Sequence, residues 1–296
     1  MTFVGLAVPQ LGNLVDVGLI RDYSIRSQGL GFDSLWVQEH FLFATDSLSA
    51  YPQRSGGTQR SVYESVYSPL ETLAAIAAWA PGIGIGTSIL VAGYHHPAPL
   101  ANRLATLAQL AEGRLIAGFG VGWSREEHIA AGVDPSTRGK RLDDFIPALR
   151  ACWDEDPIRH QSSTFEIPSG IMRPKPPQPI QLMSGMWSEA GLRRTARDFD
   201  LWNPGGPAMS LDDAEATLER INSWRADGRP PVRMVYRIAT ESTAGVKLGV
   251  DGVGDVIADA RRRGIEGVIV DTNFDTSITD AAGWLAQLEE LAGTLA

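Results

Sequence analysis

Apolar runs and helical stripes alternate along nearly the whole chain. Residues 3–9 (FVGLAVP) read as a short buried strand, and 16–28 as a helix halted by Gly29 and Gly31. SLWV at 34–37 is a second strand, running into Gln38, Glu39 and His40. Residues 41–68 lack periodicity, and a loop of that length inside a compact domain reads as a functional lid. Pro69 then opens a helix with Leu70, Leu73, Ala74 and Ala77 at helical spacing.

The third strand spans 83–92 (IGIGTSILVA), and the next helix carries Leu100, Leu104, Leu107 and Ala111 on one face. Gly113 stops it, and 114–120 (RLIAGFG) is strand four. A helix over 140–153 and a proline-rich irregular stretch, 154–178, lead to strand five at 179–185. The units then shorten: helix 188–197, a brief strand six at 200–202, helix 211–226, strand seven at 232–239, helix 251–263 and strand eight at 267–271. A last helix is expected to bury Ala281, Leu285, Leu288 and Ala292.

Eight strands, each followed by a helix, predict an α/β fold: a closed (β/α)8 TIM barrel with insertion loops at its C-terminal face, one domain over 1–296. Strand six is the shortest element; without it, the alternative is an open doubly wound sheet.

Composition narrows the partners. Among 296 residues, 35 acidic against 26 basic side chains give a net charge of −9. Such a balance argues against nucleic acid and against an anionic membrane surface, and leaves a small-molecule substrate as the expected partner. The lone cysteine, Cys152, lies on an apolar helix face with Leu142, Phe145, Ile146 and Leu149 and reads as a buried thiol. No signal peptide is apparent, and no apolar run approaches the roughly 20 residues that span a bilayer. A cytoplasmic protein is expected.

In such a barrel the chemistry gathers where strands run into helices. Glu39 and His40 end strand two beside the long loop, and histidine can move a proton near neutral pH. Thr87 and Ser88 interrupt an apolar strand, where hydroxyls are ordinarily satisfied by backbone. His95 and His96 point apart on extended chain, against a shared metal. Gly118, Gly120 and Gly122 alternate at the end of strand four and would let a flat ring approach, with Trp123 beyond. Ser184, Gly185, Met186, Trp187 and Ser188 join strand five to a helix whose N-terminus would attract phosphate. Trp36, Trp123 and Trp187 are candidate apolar walls. Glu126, Glu127 and His128 face different ways on a helix and read as a solvated face. No metal site is expected.

The run from IGIGTSILVAGYHHP through GRLIAGFGVGWSREEH to GKRLDDFI, flanked by FDSLWVQEH and QLMSGMWSEAGLRRTARDFDLW, resembles the luciferase-like monooxygenase superfamily, and within it the branch using coenzyme F420. The resemblance implies a (β/α)8 barrel, a homodimer and non-covalent F420, with FMN as the alternative cofactor. It implies that Glu39 and His40 lie by the ring, with His40 the acid/base and Glu39 its orienting partner. A non-prolyl cis peptide would fall at Ser88–Ile89, with Gly120, Gly122 and Trp123 beside the cofactor. Gly185, Met186, Trp187 and Ser188 would surround its phosphate. The chain departs from the family pattern at Gln38, often Pro, at Ser184, usually Gly, and at Leu201 within DLW. The activity implied is hydride transfer between F420 and a small organic substrate. The alternatives are an FMN-dependent monooxygenase served by a separate reductase, and a catalytically silent flavin- or deazaflavin-binding protein.

Overall fold

A computed structural model of the chain describes residues 1–45, 61–204, 209–226, 228–241 and 247–295. Residues 46–60 of the expected lid lie outside the described residues; of the rest, Ser61–Glu64 forms a 3-10 turn.

The strands in chain order are β1 (Phe3–Ala7), β2 (Ser34–Val37), β3 (Gly84–Thr87), β4 (Leu90–Val91), β5 (Leu115–Gly120), β6 (Ile158–Gln161), β7 (Glu166–Gly170), β8 (Gln181–Ser184), β9 (Leu201–Trp202), β10 (Arg233–Ala239) and β11 (Gly267–Asp271). The helices are α1 (Val17–Gly29), α2 (Pro69–Trp79), α3 (Pro97–Leu110), α4 (Arg125–Ala130), α5 (Arg138–Asp154), α6 (Glu189–Asp198), α7 (Leu211–Ser223), α8 (Gly249–Arg263) and α9 (Ala281–Ala292).

Nine strands pair in parallel in the order β3-β2-β1-β11-β10-β9-β8-β5-β4, and β3 also pairs with β5 through Ile85–Leu115 and Gly86–Ile116. That pairing closes the sheet. Because β3 and β4 are two halves of one barrel strand, broken at Ser88–Ile89, the barrel has the eight staves expected. The two-residue β9 is a true member, paired to β8 at Met183–Leu201 and to β10 at Arg233–Leu201. No open sheet results.

Two apolar layers hold the strands. The outer one packs Leu6, Leu35, Ile85 and Val268 against helix residues such as Leu73, Leu104 and Ile257, all at most 1% exposed. The inner one fills the barrel with Ala7, Trp36, Met183, Leu201, Val235 and Ile269. Trp36 dominates it, donating Nε1 to Ser34 Oγ at 2.9 Å and stacking on Phe3. A Cβ at Gly5 or Gly86 would overlap its ring, so glycine there is what admits an indole. Trp36 is therefore barrel filling first, and its faces also line the small pocket above and the cavity below. Below it, at the N-terminal end, a cavity of about 500 Å³ is lined by residues including Asp33, Arg114 and Gln178.

Helix starts follow their caps. Asp16, Ser188, Ser210 and Asp280 accept the N–H three residues on, and Pro69 and Pro97 occupy first-turn positions. In α9 Leu288 is buried as expected and Leu285 and Ala292 pack partly buried, but Ala281 is exposed and the fully buried stripe is completed by Trp284 and Leu291. The 154–178 stretch is not irregular throughout: β6 and β7 pair as an antiparallel hairpin. Phe165 at its turn packs on Phe145, and the neighbouring Thr164 bonds Asp144 of α5. Among the described residues no helix is long and apolar enough to cross a membrane.

Candidate active site at the C-terminal mouth of the barrel

His40 follows β2 and is held by a residue the sequence did not single out. Its Nδ1 lies 2.9 Å from Glu127 Oε2, and Glu127 is fully buried. The other carboxylate oxygen accepts the backbone N–H of Phe41 at 2.7 Å and Leu42 at 3.2 Å, and Tyr94 Oη donates to Oε2 at 3.0 Å. Burial alone would push the Glu127 carboxyl up, but His40 and the two amides hold it below the usual carboxylate range. The solvated face expected at Glu126–His128 is thus wrong for two of its three residues, since His128 is buried as well. A glutamate at this spot survives burial because four donors satisfy it.

Glu39 does not orient His40. Its Oε1 lies 2.8 Å from His95 Nε2, and its Oε2 accepts the Val91 N–H at 2.7 Å, tying the end of β2 to β4. His96 turns the other way, toward Phe165. No group of three or more His, Cys, Asp or Glu suited to a metal occurs among the described residues.

Around the His40 ring stand Tyr63 at 4.8 Å and Trp123 at 5.3 Å between centroids, with Phe274 6.0 Å beyond Tyr63. With Nδ1 held by Glu127, chemistry at His40 falls to its second ring nitrogen, Nε2. Trp123 and Trp187 are both exposed.

The Ser88–Ile89 peptide is cis, where the resemblance implies one. Ile89 interlocks three segments. A Cβ on Gly120 would overlap its Cδ1, and one on Gly185 would come within 2.8 Å of its Cγ2. The glycines after strand four therefore make room for the bulge itself rather than directly for a ring. Gly122, at φ +72°, turns the chain toward Trp123. Thr87 Oγ1 is satisfied by Gly118 backbone, as expected, whereas Ser88 Oγ donates to Asn203 Oδ1 at 2.8 Å.

The turn after β8 is fixed from three sides. Gly185 N donates to Phe119 O, Trp202 Nε1 to Met186 O at 3.0 Å, and Ser184 Oγ pairs with Thr195 Oγ1 at 2.6 Å. Ser184, in place of glycine, pins the turn to α6. Ser188 caps α6 through Gly191 N, so the turn runs directly into that helix N-terminus. Free amides at a helix N-terminus are the donor set a phosphate requires. The adjacent Glu189 carboxylate is paired with Arg193.

Arg237 was not singled out in the sequence. It rises from β10, and β10 stands opposite β3 in the closed ring of strands. The guanidinium crosses the barrel: Nη1 donates to Ser88 O at 2.6 Å and Ser88 Oγ at 2.9 Å, and Nη2 to Asp271 Oδ2 at 2.7 Å. Burial works against the Asp271 charge, yet Arg237 and the Asn273 amide hold its carboxyl below the usual range. A polar layer thus lies over the apolar filling and floors the mouth.

A (β/α)8 barrel with a bulged third strand and a His–Glu pair with a buried carboxylate at one side of its mouth defines the class, a barrel whose polar site lies at the C-terminal mouth. The chain belongs to the luciferase-like monooxygenase family, whose model matches residues 13–247. Members of this family are oxidoreductases or monooxygenases that depend on F420 or a flavin. An uncharacterized protein of Mycobacterium tuberculosis is 28% identical over 269 residues, covering 90% of each chain. An F420-dependent glucose-6-phosphate dehydrogenase of Amycolatopsis mediterranei is 28% identical over 172 residues, 55% of this chain and 46% of its own. Among solved structures, a monooxygenase from Streptomyces bottropensis superposes with a TM-score of 0.75 at 18% identity, covering 99% of this chain and 98% of that one. The oxygenating constituent of 3,6-diketocamphane monooxygenase from Pseudomonas putida, in complex with FMN, gives 0.71 at 16%, covering 98% and 96%.

Proposed function

We propose that the protein is an F420-dependent oxidoreductase that passes a hydride between the deazaflavin ring and a small organic substrate, with His40 as the proton-handling group. The observation that carries this reading is the His40–Glu127 pair. A buried carboxylate fixes Nδ1, so Nε2 is presented at a set height beside the bulged strand, where a substrate hydroxyl or carbonyl would stand. The residues fit the cofactor. The bulge and Ile89 offer a flat apolar backing, and the turn Gly185–Ser188 leads its phosphate to the N-terminus of α6.

The cofactor supplies the hydride chemistry. The chain's own groups position it, exclude water through Tyr63, Trp123 and Phe274, and give or take a proton at His40 Nε2. The named dehydrogenase relative favours F420. FMN, with a similar ring and phosphate, is the competing ligand. Fluorescence titration of the purified protein with each decides: F420 is expected to bind at micromolar or lower concentration and FMN more weakly. Tight FMN binding with no response to F420 would move the assignment to a flavin monooxygenase. Tight F420 binding without turnover over a broad panel of alcohols and carbonyls would make it a silent binding protein.

A further inference from the structure

The lowest layer of the barrel, at the end remote from the mouth, is left open. Residues two apart on a strand share a face, so Ser34 and Gly84 point inward with Trp36 and Gly86. By the same rule Ile116 and Gln181 point inward with Gly118 and Met183, and Phe3 joins them from β1. Branched side chains ordinarily fill such a layer. Here Ser34 and Gly84, register partners on neighbouring strands, supply almost no bulk. The result is the cavity of about 500 Å³ beneath Trp36, within the range of small-ligand sites. Phe3 and Ile116 stay only half-buried on its walls. An unfilled space of this size forfeits packing on every atom that lines it, so it points to an occupant.

The rim of the cavity carries two opposite charges. Asp33 and Arg114 immediately precede β2 and β5, the strands that flank β3, so their backbones stand about 10 Å apart across it. Between them the chain enters β3 through Gly82 and Gly84, while Ile83 turns to the outer core. Asp33 commits Oδ2 to the Val4 N–H at 2.7 Å, which leaves Oδ1. Arg114 reaches Ile83 O through Nε and Glu112 through Nη1, which leaves Nη2. The Glu112 side chain is 74% exposed, and a surface pair of that kind holds its cation weakly.

We propose that this cavity binds a small zwitterion of amino-acid type. Its ammonium group sits on Asp33, its carboxylate on Arg114, and an aromatic or branched side chain fills the space against Phe3 and Ile116. One carboxylate and one guanidinium complement a head of separated charges, whereas a simple cation or anion meets a like charge on the same rim. Trp36 roofs the cavity and His40 lies beyond it, so the site is separate from the proposed reaction centre and stands independently of that reading.

Isothermal titration calorimetry of the full chain with L-phenylalanine, L-tryptophan and L-leucine tests this, with phenethylamine and 3-phenylpropionate as bodies carrying half the head. The amino acid that binds best is expected to exceed both halves by about 10- to 100-fold, the worth of one hydrogen bond to a charged group. Asp33→Asn keeps an acceptor for the Val4 N–H and should bring L-phenylalanine down to the level of 3-phenylpropionate. Arg114→Met keeps the apolar stem and should bring it down to the level of phenethylamine. A merely structural role would weaken all the compounds alike. His40→Ala, at the opposite end of the barrel, should change none of them. Failure of all three amino acids to bind overturns the proposal. So does equal affinity for whole and half heads, or binding that ignores both rim substitutions.

Discussion

At the scale of single residues, Glu127 is the group that separates a poised histidine from an ordinary loop histidine. His40→Ala is expected to cut kcat by about 10²–10⁴-fold, the usual worth of a positioned acid/base, with cofactor affinity little changed. Glu127→Gln retains an acceptor for the Phe41 and Leu42 amides but removes the charge beside the imidazole. Steady-state kinetics should show kcat falling while the protein stays folded. A variant with unaltered kcat would show that the pair is structural. His40 was legible from its place at a strand end. Glu127 was not, because REEH after Ser124 looks like an exposed, capped helix start. Its burial arises from contacts 85 to 87 residues away in the chain. Only the rule that loops after barrel strands face the site pointed toward it.

Among the elements, the broken third strand depends on what its neighbours lack. Gly120→Ala and Gly185→Ala each place a methyl against Ile89, and overpacking of this kind costs about 1–3 kcal/mol. Thermal melts should show both variants lowered. Adding Ile89→Val should recover part of the Gly120→Ala loss, because Val lacks the Cδ1 that the new methyl would overlap. No recovery would mean the bulge is held by other contacts. Periodicity placed the β2 and β11 strands without error, since each is a short apolar run between breakers. It missed the β6–β7 hairpin, whose strands carry exposed Arg159, Gln161 and Pro168 and show little alternation. It gave α4 no bounds, although Glu126–His128 were read as helical, because six residues are too short to display a stripe.

For the molecule as a whole, buried carboxylates set the acid limit. Glu127 and Asp271 are held below their ordinary values, and Asp275 is held down to about 2. For Asp275 burial acts upward, and bonds from Ser277 and Gln287 with the charge of Lys247 outweigh it. A carboxyl whose folded value is depressed adds stability that is complete above its unfolded value near 4 and is lost as pH falls toward its folded value. Melting temperature should therefore hold above about pH 5 and drop steeply between about pH 4 and 2. Asp271→Asn leaves Arg237 buried and unpaired, so it should cost about 3–5 kcal/mol at neutral pH and flatten the acid limb. An unchanged pH profile for that variant would show that the pair is not coupled to folding.

The guanidinium laid across the barrel has one more consequence. With Trp36 beneath it, it makes the mouth a cup with a sealed base, separate from the lower cavity. Among the described residues, entry from below is thereby barred, which leaves the mouth for traffic in and out. Whatever seats deeper must arrive before, and depart after, whatever seats above it. On the proposed reading, a ring seated on that base would stay in place during turnover while small reactants exchange over it, an order that product-inhibition kinetics would reveal.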